Sequence, residues 1–121
     1  MHINKRRNYL FIFLLGNIFN LHSTNIDSLN APQGFEISIY ADNLESPRQI
    51  AETDNGFIIV GSKNGKNVYA LFDSNNDGAA ETKILIAQGL QNPTGVVVHK
   101  GDLYFSEIDK VWLIRNIDQW L

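Results

Sequence analysis

A strand-rich pattern occurs twice in this chain, about 45 residues apart, and no other feature constrains the fold as tightly. The first copy runs Ser46-Pro47-Arg48-Gln49-Ile50-Ala51, then Gly56-Phe57-Ile58-Ile59-Val60, then Asn67-Val68-Tyr69-Ala70-Leu71. The second runs Asn92-Pro93-Thr94-Gly95-Val96-Val97, then Gly101-Asp102-Leu103-Tyr104-Phe105, then Lys110-Val111-Trp112-Leu113-Ile114. Pro47 and Pro93 stand 46 positions apart, Gly56 and Gly101 45, and Val68 and Val111 43. A repeat of roughly 40–50 residues built from short strands is the period of a β-propeller blade, a small sheet that must stack on neighbours to bury its faces. Closing such a ring takes about 4–8 blades. This sequence has room for one blade and part of a second, so the expected fold is all-β, an incomplete propeller that opens a longer protein.

The first two dozen residues read as a leader rather than as part of that fold. Lys5, Arg6 and Arg7 form a basic patch, and Tyr9 to Phe19 is an apolar run of 11 residues. That run is too short to cross a hydrocarbon layer of roughly 30 Å as a helix. With its basic flank and the polar residues after it, the segment reads as a secretory signal peptide over residues 1–23. Leu21-His22-Ser23 is a poor cleavage site and Gly16-Asn17 interrupts the apolar run, so an uncleaved membrane anchor is the alternative. The expected location is the periplasm or the exterior. The rest divides into an incomplete propeller domain over 31–121, with blade one at about 35–90 and a partial blade two at about 91–116.

Charge excludes one class of partner. The whole chain carries a net charge of −3, and loss of Lys5, Arg6 and Arg7 leaves seven scattered basic residues against 13 acidic ones. Nucleic acid or an anionic membrane surface would call for clustered Lys and Arg. The chain has no cysteine, so stability must come from packing alone.

Turn chemistry separates the expected strands. Phe35 to Tyr40 alternates apolar and polar residues, the period of a half-buried strand, after a lead-in at Ala31-Pro32-Gln33-Gly34. Gln49 to Thr53, Phe57 to Gly61, Asn67 to Phe72 and Glu81 to Ala87 follow as four strands. Thr94 to Val98, Leu103 to Ser106 and Lys110 to Arg115 begin the next blade. The separators Asp54-Asn55-Gly56, Lys63-Asn64-Gly65 and Asp73 to Gly78 hold residues that tolerate positive φ. No segment has a helical period, and Ile117 to Leu121 is too short to assign.

Three features invite a chemical reading. Asp73, Asn75 and Asp77 alternate before Gly78, the front half of an oxygen-ligand Ca²⁺ loop. An EF-hand needs a bidentate Glu at loop position 12, where this chain has Ile84, and it needs flanking helices. A tight hairpin, with Asn and Asp bonding their own backbone, explains the same residues and is preferred. The second feature is the pair of inner-strand lead-ins, Pro47-Arg48-Gln49 and Gln91-Asn92-Pro93-Thr94-Gly95, which would line a propeller's channel. Read structurally, Pro fixes the turn, Gly95 permits close blade packing, and Arg48 and Gln91 are solvated rim residues. The third is His99, in the turn before Lys100-Gly101, with no partner acid or base beside it in sequence. Residues alone assign no active site.

A family resemblance adds to this. Pro32-Gln33-Gly34-Phe35-Glu36-Ile37-Ser38-Ile39-Tyr40-Ala41, Ser46 to Ala51, Val60-Gly61-Ser62, Val68 to Leu71, the Asp73–Glu81 turn, Gly89 to Val96 and Gly101 to Ile108 occur in the order seen in the sorbosone/glucose dehydrogenase family. The chain resembles that family over nearly all of residues 31–116. Such proteins are pyrroloquinoline quinone (PQQ)-dependent sugar dehydrogenases, exported six-bladed propellers that also use Ca²⁺. The resemblance implies a His base for the sugar hydroxyl, hydride transfer to the quinone, and Arg, Lys and Gln side chains holding the cofactor. It carries over one position as a cofactor-pocket residue, Gln91. The family's catalytic His, Ca²⁺ ligands and most PQQ contacts lie further along than this sequence reaches. The implied identity is therefore an N-terminal fragment, inactive alone, with a sugar as the parent enzyme's substrate. Two alternatives stand: an exported propeller-like binding module that self-associates through open blade edges, or a fragment of a propeller lactonase with Asn92 and Glu107 near metal-ligand positions.

Overall fold

The computed structural model describes residues 26–121. The expected leader at 1–23 lies outside them. The described residues form seven short strands, one 3₁₀ turn at Ile26–Ser28 and one helical turn. Four strands make a first antiparallel sheet in sequence order: β1 (Pro47–Glu52), β2 (Ile58–Ser62), β3 (Val68–Phe72) and β4 (Thr82–Ala87). Three make a second: β5 (Val96–His99), β6 (Asp102–Ser106) and β7 (Val111–Ile114). The protein is all-β, and each strand falls within a residue or two of its sequence-predicted position. Among the described residues, no helix is long and apolar enough to cross a membrane.

The turns explain the registers. Lys100 (φ 51°) and Gly101 (φ 79°) link His99 to its partner Asp102, a two-residue hairpin with both central residues left-handed, which matches strand twist. Between β1 and β2, the Thr53 N–H donates to Phe57 O (2.9 Å) and the Gly56 N–H to Thr53 O (3.0 Å). The Thr53 hydroxyl accepts from the Phe57 N–H, and the Phe57 ring stacks on Phe72 at 4.6 Å.

The core lies between the sheets. Ladder partners share a face, so Ala51, Ile59, Ala70 and Ile84 project from one side of the first sheet. They pack on Val96, Val98, Leu103 and Phe105 from one side of the second. Ile59, Val68, Ala70 and Leu103 are fully buried. After β7, Asn116 turns the chain left-handed into α1 (Ile117–Trp120), and Ile117 enters the same core.

Two expectations need correction. Phe35–Tyr40 is not a strand. Its alternation needs a neighbour to supply ladder hydrogen bonds, and among the described residues no strand pairs with it; Phe35, Ile37 and Ile39 are exposed. The close approach between sheets also falls elsewhere than at Gly95. A Cβ on Gly95 would meet Ser106 Oγ of its own sheet at 2.6 Å. A Cβ on Gly61 would lie 2.6 Å from both the Pro93 and the Thr94 carbonyl oxygens, so Gly61 is what lets β2 approach the β5 lead-in.

Candidate functional site

The meander sorts the sequence's candidates to opposite ends of the sheets. The β1–β2 turn and the β3–β4 turn share one end. The β2–β3 turn and the β4–β5 connection share the other. Asp73, Asn75 and Asp77 are therefore at the far end from Arg48 and Gln91.

At the first end, the Asp73–Glu81 turn is held by its own side chains. Asp73 accepts the N–H groups of Asp77 (3.2 Å) and Gly78 (2.8 Å), and Asn75 Oδ1 accepts the Asp77 N–H (2.8 Å). Asp77 Oδ1 accepts the Ala79 N–H at 3.0 Å, and its Oδ2 accepts from Asn75 Nδ2 at 3.0 Å. These are the local side-chain-to-backbone bonds that make Asn and Asp turn formers. Glu81 closes the loop by accepting both the N–H and the hydroxyl of Ser74. Carboxylate oxygens of Asp73, Asp77 and Glu81 all lie within 4.8 Å of one another. An all-oxygen set of this kind suits a hard cation, yet each acid already has a structural task in the turn. Sequence reasoning missed Glu81 because it tested loop position 12, Ile84, which lies on β4 among the residues facing the core.

At the second end, Gln91 is exposed, and its backbone N–H donates to Glu107 Oε1 at 2.6 Å. Glu107 Oε2 accepts from Trp112 Nε1 at 2.8 Å, and Lys110 Nζ stands 4.0 Å away. The Gln91 N–H, then the Trp112 indole N–H, hold the Glu107 carboxyl below its ordinary pKa. Glu107 thus fixes the loop that carries Gln91. Both its oxygens are engaged, which weighs against a role as a metal ligand. Arg48, Lys63 and Lys66 belong to the same end, while Glu52, Asp54, Asp73, Asp77 and Glu81 belong to the other. His99 is exposed at the last position of β5, across the ladder from Asp102.

Beside the first sheet lies a cavity of about 900 Å³. Its floor is the outer face of that sheet, with Ile50, Ile58, Val60 and Leu71, and its wall is the segment Ser38 to Leu44. Tyr40 stands on this wall, and burial, then the nearby Asp73 charge, raise its hydroxyl pKa.

An uncharacterized protein of Borreliella burgdorferi is 32% identical to the chain over 110 residues, 89% of this chain and 27% of the relative. The chain therefore spans about a quarter of the length of the curated relative it matches. No family model matches, and no solved structure matches.

Proposed function

We propose that this chain forms the first two blades of a longer, exported β-propeller of the PQQ-dependent sugar dehydrogenase type, and that it is inactive alone. The observation that carries the blade assignment is the way the two sheets meet. Aligned by the repeat, Ile50, Ile58, Val60 and Leu71 correspond to Val96, Leu103, Phe105 and Ile114. The first set faces outward from the first sheet, while the second faces inward from the second sheet onto the core. Equivalent faces therefore point the same way round, as in a ring of blades. A β-sandwich would turn two inner faces together and leave the outer ones polar. Here the outer faces carry exposed apolar residues, with Ile50 67% and Val97 52% exposed, beside charged ones such as Glu52 and Lys83. A relative of about 400 residues, of which 110 are 27%, has length for the further blades a ring needs.

The sugar-dehydrogenase part rests on the ordered resemblance. PQQ, when bound, supplies a two-electron sink for the sugar's hydride. What this chain offers such a tricarboxylate is Arg48, Lys63 and Lys66 at one end of the sheets, and the Gln91 amide on the loop that Glu107 fixes. The test is a dye-reduction assay with PQQ, Ca²⁺ and glucose or sorbosone. The full-length Borreliella relative is expected to turn over only with PQQ, and the 121-residue chain to show none. Turnover by the short chain, or a PQQ-independent relative, overturns this function.

A further inference from the structure

We infer that Asn64 is a covalent modification site: its side-chain amide is lost by attack of the Gly65 nitrogen, and the product loosens two segments that the β2–β3 turn holds. The inference rests on the geometry of that turn alone. Neither the blade assignment nor the sugar-dehydrogenase function enters it.

Three turns carry Asn or Asp directly before Gly: Asn55-Gly56, Asn64-Gly65 and Asp77-Gly78. Glycine has no side chain to hinder approach to its nitrogen. A nitrogen that already donates a hydrogen bond must first be released from it before it can attack. The Gly56 N–H donates to Thr53 O at 3.0 Å, and the Gly78 N–H to Asp73 Oδ2 at 2.8 Å. The Asn55 N–H is also held, by Asp118 Oδ2 at 3.2 Å.

Gly65 differs because a side chain closes its turn. The Ser62 hydroxyl donates to Asn67 O at 2.7 Å and accepts the Asn67 N–H at 3.4 Å. Residues 63–66 therefore bend without a hydrogen-bonded turn of their own. Among the described residues, the Gly65 N–H and the Asn64 side chain have no hydrogen-bond partner, and Asn64 is exposed. Its amide can swing onto the Gly65 nitrogen without breaking a bond.

In the step itself, the Gly65 nitrogen bonds to Asn64 Cγ and the Cγ–Nδ2 bond breaks. Nδ2 leaves as ammonia, taking the Gly65 proton, and a succinimide ring remains. Water opens the ring at either carbonyl, giving aspartate or isoaspartate at position 64. In the isoaspartate the main chain runs through the former side chain and is one carbon longer.

The turn has no room for that carbon. A Cβ on Gly65 would stand 2.5 Å from Glu45 O and 2.9 Å from Ser62 Oγ, so glycine already fills the space. To either side of it, the Lys63 N–H donates to Ser46 O and Lys66 O accepts the Leu90 N–H, each at 3.0 Å. These bonds fix the lead-in to β1 and the β4–β5 connection, the segments beside Arg48 and Gln91. A longer main chain between Lys63 and Lys66 loosens both.

The purified chain is aged in mildly alkaline buffer, folded and in denaturant, and peptide mass spectrometry locates the exchange of NH₂ for OH. Methylation by a protein isoaspartate methyltransferase reports the isoaspartate. In denaturant, Asn55 and Asn64 are expected to react at similar rates, since both precede Gly. In the folded chain Asn64 is expected to react several times faster than Asn55, the factor set by a hydrogen bond that must first be released. Asn64→Gln should not age at this site. Protection of the Lys63 and Leu90 amides from exchange should fall in the isoaspartate form and persist in Asn64→Asp, which adds the charge but no main-chain carbon. Asn55 reacting as fast as Asn64 in the folded chain overturns the site. Lys63 and Leu90 amides that stay protected in the isoaspartate form overturn its consequence. An unprotected Ser62 amide before ageing overturns both, because the β2–β3 turn is then not held as described.

Discussion

The Ser62 N–H donates to the Pro93 carbonyl at 2.9 Å, tying the last residue of β2 to the lead-in of β5 across the boundary between the two sheets. Pro93 is itself buried and cannot donate, so its carbonyl is the group it contributes here. The bond is possible because the preceding residue is Gly61. With a side chain there, the carbonyls of Pro93 and Thr94 would be pushed away from β2. The two sheets hold their angle through this close approach as well as through the core beneath it.

Gly61→Ala tests that approach. Its Cβ would sit 2.6 Å from two backbone oxygens, which cannot swing aside as a side chain can. The expected cost is about 1–3 kcal/mol, the usual range for overpacking, read as a lower thermal midpoint. Gly78→Ala is a control with open space around it, where only the positive φ of 89° is strained. Loss of stability is expected to be larger at Gly61.

Glu107 gives a pH dependence of definite sign. Its carboxyl is held below its ordinary value of 4.5, so the stabilisation is complete above that value and is lost as pH falls through the depressed folded pKa. Trp112 reports it directly, since its indole N–H loses its acceptor when Glu107 protonates. A change in Trp112 fluorescence is expected below pH 4.5, and Glu107→Gln should remove it. Glutamine has one acceptor oxygen for two donors, so that variant should also be less stable at neutral pH.

The Asp73–Glu81 turn is expected to behave as a hairpin. Asp73→Ala strands the Gly78 N–H and removes one of the two acceptors of the Asp77 N–H, and should cost about 0.5–2 kcal/mol, as loss of a cap does. Added Ca²⁺ at roughly 1 mM, enough for a weak extracellular-type site, should leave the thermal midpoint unchanged. A clear rise that Asp77→Asn abolishes would make the turn a cation site.

Lys100 holds a left-handed conformation that favours Asn or Gly, in a two-residue turn where Asn-Gly is the preferred pair. Lys100→Asn is expected to stabilise by about 0.5–1 kcal/mol, measured by denaturant unfolding with an unchanged slope.

The strands were legible because Gly, Asn and Asp mark the turns, and hydrophobic runs of four to six residues lie between them. The repeat placed Gly56 against Gly101 and Pro47 against Pro93, and the two sheets follow that alignment. Phe35–Tyr40 was misread because alternation reports a half-buried face and says nothing of the neighbour that must pair with it. Glu81 escaped notice because the EF-hand spacing looked three residues too far along. Glu107 was visible only as a possible metal ligand. Its bond to Gln91 spans 16 positions and depends on the β5–β6 hairpin folding back, which no local pattern reports. Which face of one sheet meets which face of the other lies equally beyond periodicity.

The central claim is that these two sheets are consecutive blades of a ring. A crystal structure of the full-length Borreliella relative tests it most directly. A closed ring of about 4–8 blades is expected, with the region matching this chain as two adjacent blades and the counterparts of Ile50 and Val97 buried against further blades. A two-sheet sandwich whose corresponding faces remain in solvent would contradict it.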